Sequence, residues 1–157
     1  MVMIEPNVKA IGHDNKAWLA PRWLELSKTR DDFVQCVSSP EQSLPANVLK
    51  VITPTFRHAL AVLNVAKAYV GTEGGLHHGA AATGTPAIVL FSEFISPEIT
   101  GYPTMTNLRH AGKPCGNRLT CASCRKSMEA ITVTEVVEAL EKLWESPATQ
   151  PRTAQQR

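Results

Sequence analysis

Residues 68–91 read AYVGTEGGLHHGAAATGTPAIVLF, and the order of signals in this stretch decides the fold. Tyr69 and Val70 close a short apolar run, after which Gly71 and the pair Gly74-Gly75 supply backbone freedom for a tight turn. The alanine-rich segment 76–83 predicts a helix slim enough to lie close against a sheet. Gly84 and Pro86 then stop that helix, the first as a left-handed cap and the second as a residue that cannot continue it. Residues 87–91 are continuously apolar after turn signals, the pattern of a strand buried on both faces. A parallel strand–helix–strand unit of this kind points the first N–H groups of its helix at the space beyond the strand ends, where anions and nucleotides bind.

The rest of the 157-residue chain fits around this unit as one domain, residues 1–146, followed by a polar tail at 147–157. A hydrophobic content of 43% and a charged content of 19% are those of a soluble globular protein. The net charge of +2 and the lack of a dense basic block argue against a nucleic-acid partner. The opening residues do not read as a signal peptide, and no run approaches the roughly 18 apolar residues a membrane span needs. A cytoplasmic location is the resulting expectation. Four cysteines in such a domain read as thiols or metal ligands rather than disulfides.

Taken in order, residues 2–4 form a first strand that Glu5 and Pro6 end, and residues 7–16 a polar loop with Gly12, His13 and Asp14. A helix over 21–30 turns Trp23, Leu24 and Leu26 to one side, and strands follow at 33–37 and 48–52. Lys50 gives the third strand a wetter face. Residues 56–66 carry Ala59, Leu60, Leu63 and Ala66 at helical spacing. Residues 92–109 show no clean period and are read as loop with a helical turn or short strand. Thr132 and Glu135 form a capping box for a final helix that buries Val136, Val137, Leu140, Leu143 and Trp144. Strands alternating with helices predict an α/β, three-layer Rossmann-like sandwich with a mostly parallel sheet.

These residues resemble the C-terminal, donor-binding domain of family 9 glycosyltransferases, the ADP-heptose:lipopolysaccharide heptosyltransferase group. Lys16 and Trp18 stand in a Lys-x-Trp pattern; Glu73 to Ala82 and Gly84 to Phe91 follow the family's acidic residue, His-x-Ala-Ala-Ala helix and Gly-x-Pro strand. The resemblance runs from about Val2 to Trp144 and departs at Glu73, where the family has Asp, and at Gly74, where it has a hydroxyl residue. It implies one half of a GT-B fold, the other half holding the acceptor and the catalytic base. It implies further a nucleotide diphosphate sugar, ADP-heptose-like, as ligand in lipopolysaccharide biosynthesis, and inverting transfer with no metal required. Completion by an acceptor-domain partner, or self-association, would follow. A different class of reading is a non-catalytic nucleotide- or protein-binding module derived from such a transferase.

The donor-binding residues expected on this basis are Lys16, Thr72, Glu73, Gly74, Gly75 and His78. An acidic side chain at a strand end accepts from sugar or ribose hydroxyls, while the turn's N–H groups face phosphate; Glu73 otherwise only complements a helix dipole. His78 either donates to a diphosphate oxygen or is a buried structural histidine, and His77 is read as surface or structural. Trp18 and Trp23 read as packing residues. Cys115, Cys121 and Cys124 are spaced C-x5-C-x2-C with His110 five residues earlier, a set that either holds zinc or iron or remains plain thiols. Some adhesin-modifying members of the resembled group use such a cluster for iron. Cys36 reads as a core residue.

Overall fold

A computed structural model describes residues 1–8, 14–44, 47–110, 112–117 and 119–145. Gly12 and His13 and the tail at 147–157 lie outside the described residues. Six strands, β1 (Val2–Glu5), β2 (Phe33–Val37), β3 (Leu49–Ile52), β4 (Ala68–Thr72), β5 (Ala87–Phe91) and β6 (Thr106–Arg109), form one sheet in the order β3-β2-β1-β4-β5-β6. Every pairing is parallel. Helices α1 (Ala20–Ser27), α2 (Phe56–Val65), α3 (Gly75–Thr83) and α4 (Pro97–Thr100) lie in the crossovers, and α5 (Ala122–Ala130) and α6 (Val133–Glu145) follow the last strand. The order of strands reverses between β1 and β4, which is where an open α/β sheet leaves a crevice beyond its carboxyl ends.

Strand alternation splits the core into two layers. Val2, Ile4, Val70, Ile88 and Leu90 pack with Trp23, Met128, Val136 and Leu140 of α1, α5 and α6. Met3, Tyr69, Val89 and Phe91 pack on the other face with Leu63 of α2 and Ala80 of α3. Helix α3 approaches α2 closely: a Cβ at Gly79 would come within 2.8 Å of a Leu60 methyl. Gly84 caps α3 in the left-handed region at φ 68°, as its place before Thr85-Pro86 requires. The Thr132–Glu135 capping box is closed in both directions, Thr132 N–H donating to Glu135 at 2.7 Å and Glu135 N–H to the Thr132 hydroxyl at 3.2 Å. Trp18 and Trp23 pack edge to face at 4.9 Å in the interior.

One sequence expectation is corrected. Gly71 lies inside β4, paired with Glu5 and Val89, and is not in the turn. A Cβ there would collide with the Tyr69 hydroxyl, so the missing side chain makes room for the tyrosine ring. The nine-residue helix α5, which carries Cys124, has no counterpart among the sequence expectations. Its buried Cys124, Ser127 and Met128 are at ordinary helical spacing. The aperiodic segment 92–109 holds both a helical turn, α4, and the edge strand β6. No helix of the described residues is long and apolar enough to cross a membrane.

Candidate functional site at the strand ends

At the reversal point the ends of β1 and β4 and the start of α3 enclose a cavity of about 280 Å³. Its walls include Glu5, Lys16, Thr72, Glu73, Gly74 and Gly75. Lys16 enters from the short turn Asp14–Lys16 after β1 and forms an ion pair with Glu73, which follows β4. The two side chains are only 12% and 8% exposed. Lys16 Nζ also sits 4.8 Å from the centre of the Phe94 ring, a cation–π contact that fixes its direction. Thr72 is buried at the end of β4. By helix geometry the N–H groups of Gly75, Leu76 and His77 have no acceptor within α3, so the helix start presents donors and positive dipole to the cavity. Five of the six expected donor contacts are therefore brought together.

His78, the sixth, is not in the cavity wall. It is exposed beside Glu73, and its Nδ1 lies 2.9 Å from the Tyr102 hydroxyl. His77 is the buried histidine of the pair. Its Nε2–H donates to the Thr100 carbonyl at 2.8 Å, which leaves Nδ1 to accept the Gly74 N–H at 3.2 Å. Burial holds the His77 pKa below its usual value. The ring thus closes the N-terminus of α3 as a neutral imidazole. With both nitrogens engaged it cannot join Glu73 and His78 as a cation ligand, although the three groups lie within 4.8 Å of one another.

Sequence reasoning missed Glu5. Strand register sets it opposite Gly71, on the face that carries Cys36 and Tyr69. Burial pushes its carboxyl up to about 7, partly offset by the Asn7 N–H that donates to Oε1 at 2.9 Å. Burial, with a smaller effect of the same carboxylate, raises Tyr69 and brings Cys36 up to about 11. Glu5 also borders a second cavity of about 330 Å³, lined with Cys36, Ser38, Thr53 and Phe56, so one crevice crosses the ends of β4, β1 and β2. The only sequence signal for it was an acid closing an apolar strand.

The three cysteines expected together are together. The sulfurs of Cys115, Cys121 and Cys124 lie within 4.8 Å of one another, Cys115 and Cys124 at 3.0 Å. A tetrahedral metal with bonds of about 2.3 Å spaces its sulfurs by about 3.8 Å, so the donor set fits zinc or iron after a small opening. Hydrogen bonds from Cys124 lower the Cys121 pKa, while burial pushes Cys124 up. His110 does not join them; its Nε2 lies 3.0 Å from Glu135. The cysteine loop is tied to the crevice by the buried Asn15. Its amide donates to the Asn117 and Leu119 carbonyls and accepts from the Cys121 N–H, each at 2.7 Å. Asn15 immediately precedes Lys16.

A larger depression of about 850 Å³ is lined by Leu24, Ser27, Lys28, Thr29, Arg30, Asp31 and Asn47. It lies at the amino end of β2, away from the carboxyl ends of the strands and the N-terminus of α3, where ligands of open α/β sheets bind.

No protein-family model and no curated protein matches the sequence. Solved structures do match. Heptosyltransferase II of E. coli, an ADP-heptose lps heptosyltransferase, shares 21% identity at a TM-score of 0.67 over 90% of this chain and 45% of its own. A family 9 glycosyl transferase of Veillonella parvula shares 14% at 0.67, over 93% and 47%. TibC of enterotoxigenic E. coli, an iron-containing dodecameric glycosyltransferase, shares 17% at 0.70, over 92% and 45%. The chain therefore has the fold of part of these enzymes and spans less than half the length of each.

Proposed function

We propose that this chain is the donor-binding half of a family 9-like glycosyltransferase and holds the diphosphate of an ADP-heptose-like nucleotide sugar. The observation that carries the reading is the buried Lys16–Glu73 pair facing the free N–H groups of α3 at the strand-order reversal. Phosphate oxygens would accept from those N–H groups and from Lys16, which stabilises charge on a diphosphate leaving group. Glu73, released from Lys16, would accept from ligand hydroxyls. His78, exposed beside Glu73, would meet the ligand from the rim. The 280 Å³ cavity suits a diphosphate, and the adjoining space past Glu5 gives the remainder of a nucleotide room. Transfer would require an acceptor-binding half, since the matched glycosyltransferases are more than twice as long as the region this chain covers.

Calorimetric titration with ADP, UDP and GDP separates these proposals from a fold without a ligand. Saturable binding of one nucleotide is expected, weakened about ten- to a hundredfold in Lys16→Ala, since hydrogen bonds to a charged group contribute about 1.5–3 kcal/mol. No binding of any nucleotide, or equal binding by the variant, contradicts the assignment. Sugar transfer after addition of an acceptor-binding domain would then distinguish transferase from module. The cysteines we assign to zinc or iron, as a fixed knot beside the donor crevice; TibC's iron and dodecameric assembly support metal and self-association as proposals for this chain as well.

A further inference from the structure

We propose that Glu5 is a ligand-contacting residue that must carry a proton when a diphosphate occupies the crevice, so that binding takes up a proton from solvent. This rests on the donor-site reading above and adds to it a residue and a pH dependence. The argument begins with the charges that line the crevice. Lys16 is already neutralised by Glu73, so among the described residues the pair contributes no net charge to an incoming anion. Glu5 is the remaining carboxyl in the wall, and no ion pair to it is found among the described residues. Ionised, it would set a negative charge against the phosphates in a partly buried cleft, where like charges repel more strongly than in water.

The groups facing Glu5 give no compensation. From β2 comes the Cys36 thiol and from β4 the Tyr69 phenol, both held neutral. From α2 comes Phe56, and from α3 Leu76. On its own side the Asn7 N–H occupies Oε1, which leaves Oε2 as the atom that bears the proton and donates it to a ligand oxygen. Burial already brings the free carboxyl to about 7, so protonation near neutrality costs little, and a bound diphosphate raises the value further. The fold thus supplies a neutral donor at a position where an ionised one would exclude the ligand.

The test compares wild type with Glu5→Gln, a near-isosteric amide that keeps a donor and cannot ionise. ADP is titrated calorimetrically from about pH 6 to about pH 9, in two buffers of different ionisation enthalpy. Linkage of one proton gives a wild-type Kd that rises about tenfold per pH unit above neutrality, and uptake of up to about one proton more than the variant. Glu5→Gln should show only the titration of the ADP phosphate itself, which both proteins experience equally, and should bind more tightly than wild type at the alkaline end. Identical pH profiles for the two proteins overturn the inference and leave the donor-site reading standing. Wild-type binding that strengthens with pH and requires a divalent cation also overturns it, because an ionised Glu5 would then be holding a metal. Failure of both proteins to bind ADP at any pH overturns the donor-site reading and this inference together.

Discussion

Glu5 and His77 sit on opposite sides of the same proton balance. The Glu5 pKa is raised from 4.5 to about 7 in the fold, so its contribution to stability is complete below the unfolded value and is lost as pH rises through about 7. His77 is lowered from 6.5 by burial, so its contribution is complete above 6.5 and is lost as pH falls through the lower folded value. The melting temperature of the unliganded protein is therefore expected to drop as pH rises through about 7, on account of Glu5, and His77 opposes folding as it takes up a proton in acid. In Glu5→Gln the alkaline slope should flatten by roughly 1–3 kcal/mol of stability between pH 5 and 8. An unchanged slope would remove the burial of Glu5 from the account. Neither residue's role was legible from the sequence. The chemistry of Glu5 comes from its burial in a sheet where register sets it against Gly71, far along the chain. For the adjacent histidines, spacing alone does not say which ring turns inward, and it is His77, bonded to Thr100, that does.

At the scale of elements, the unit from β4 through α3 to β5 was readable because its signals are local: an apolar run, glycines, alanines, then Gly84 and Pro86. Strands β2 and β5 and the start of α6 follow their sequence signals for the same reason. Edge strand β6, with four half-buried residues, has no period to read. The tie between the cysteine loop and the Lys16 turn was invisible because it is carried by one side chain, Asn15, across more than a hundred residues of sequence. Asn15→Ala removes the three hydrogen bonds that this buried side chain makes to the backbone of Asn117, Leu119 and Cys121. The expected loss is about 2–4 kcal/mol. Metal content should fall in the same variant. Elemental analysis of the purified chain should find about one zinc or iron per molecule, lost in Cys121→Ser. Metal-free wild type with a normal melting temperature would leave the three cysteines as thiols.

For the whole molecule, the sheet order β3-β2-β1-β4-β5-β6 puts its reversal between β1 and β4, at the crevice. Both the crevice and the cysteine knot lie along the carboxyl side of the strands, and the larger depression at the amino side of β2 plays no part in the account. The α/β class and parallel sheet were evident from alternation of elements, and the glycine turn and Lys16 named residues that meet at the crevice. What alternation did not reveal was the point of reversal, because strand order is a tertiary property. Location of the ligand is thus the central claim, and amide chemical-shift mapping during an ADP titration tests it most directly. The expected result is that the largest shifts fall on the Gly75 and Leu76 amides, with smaller ones on Asn7 and Lys16. Shifts centred on Lys28 to Asp31, or none at saturating nucleotide, would contradict it.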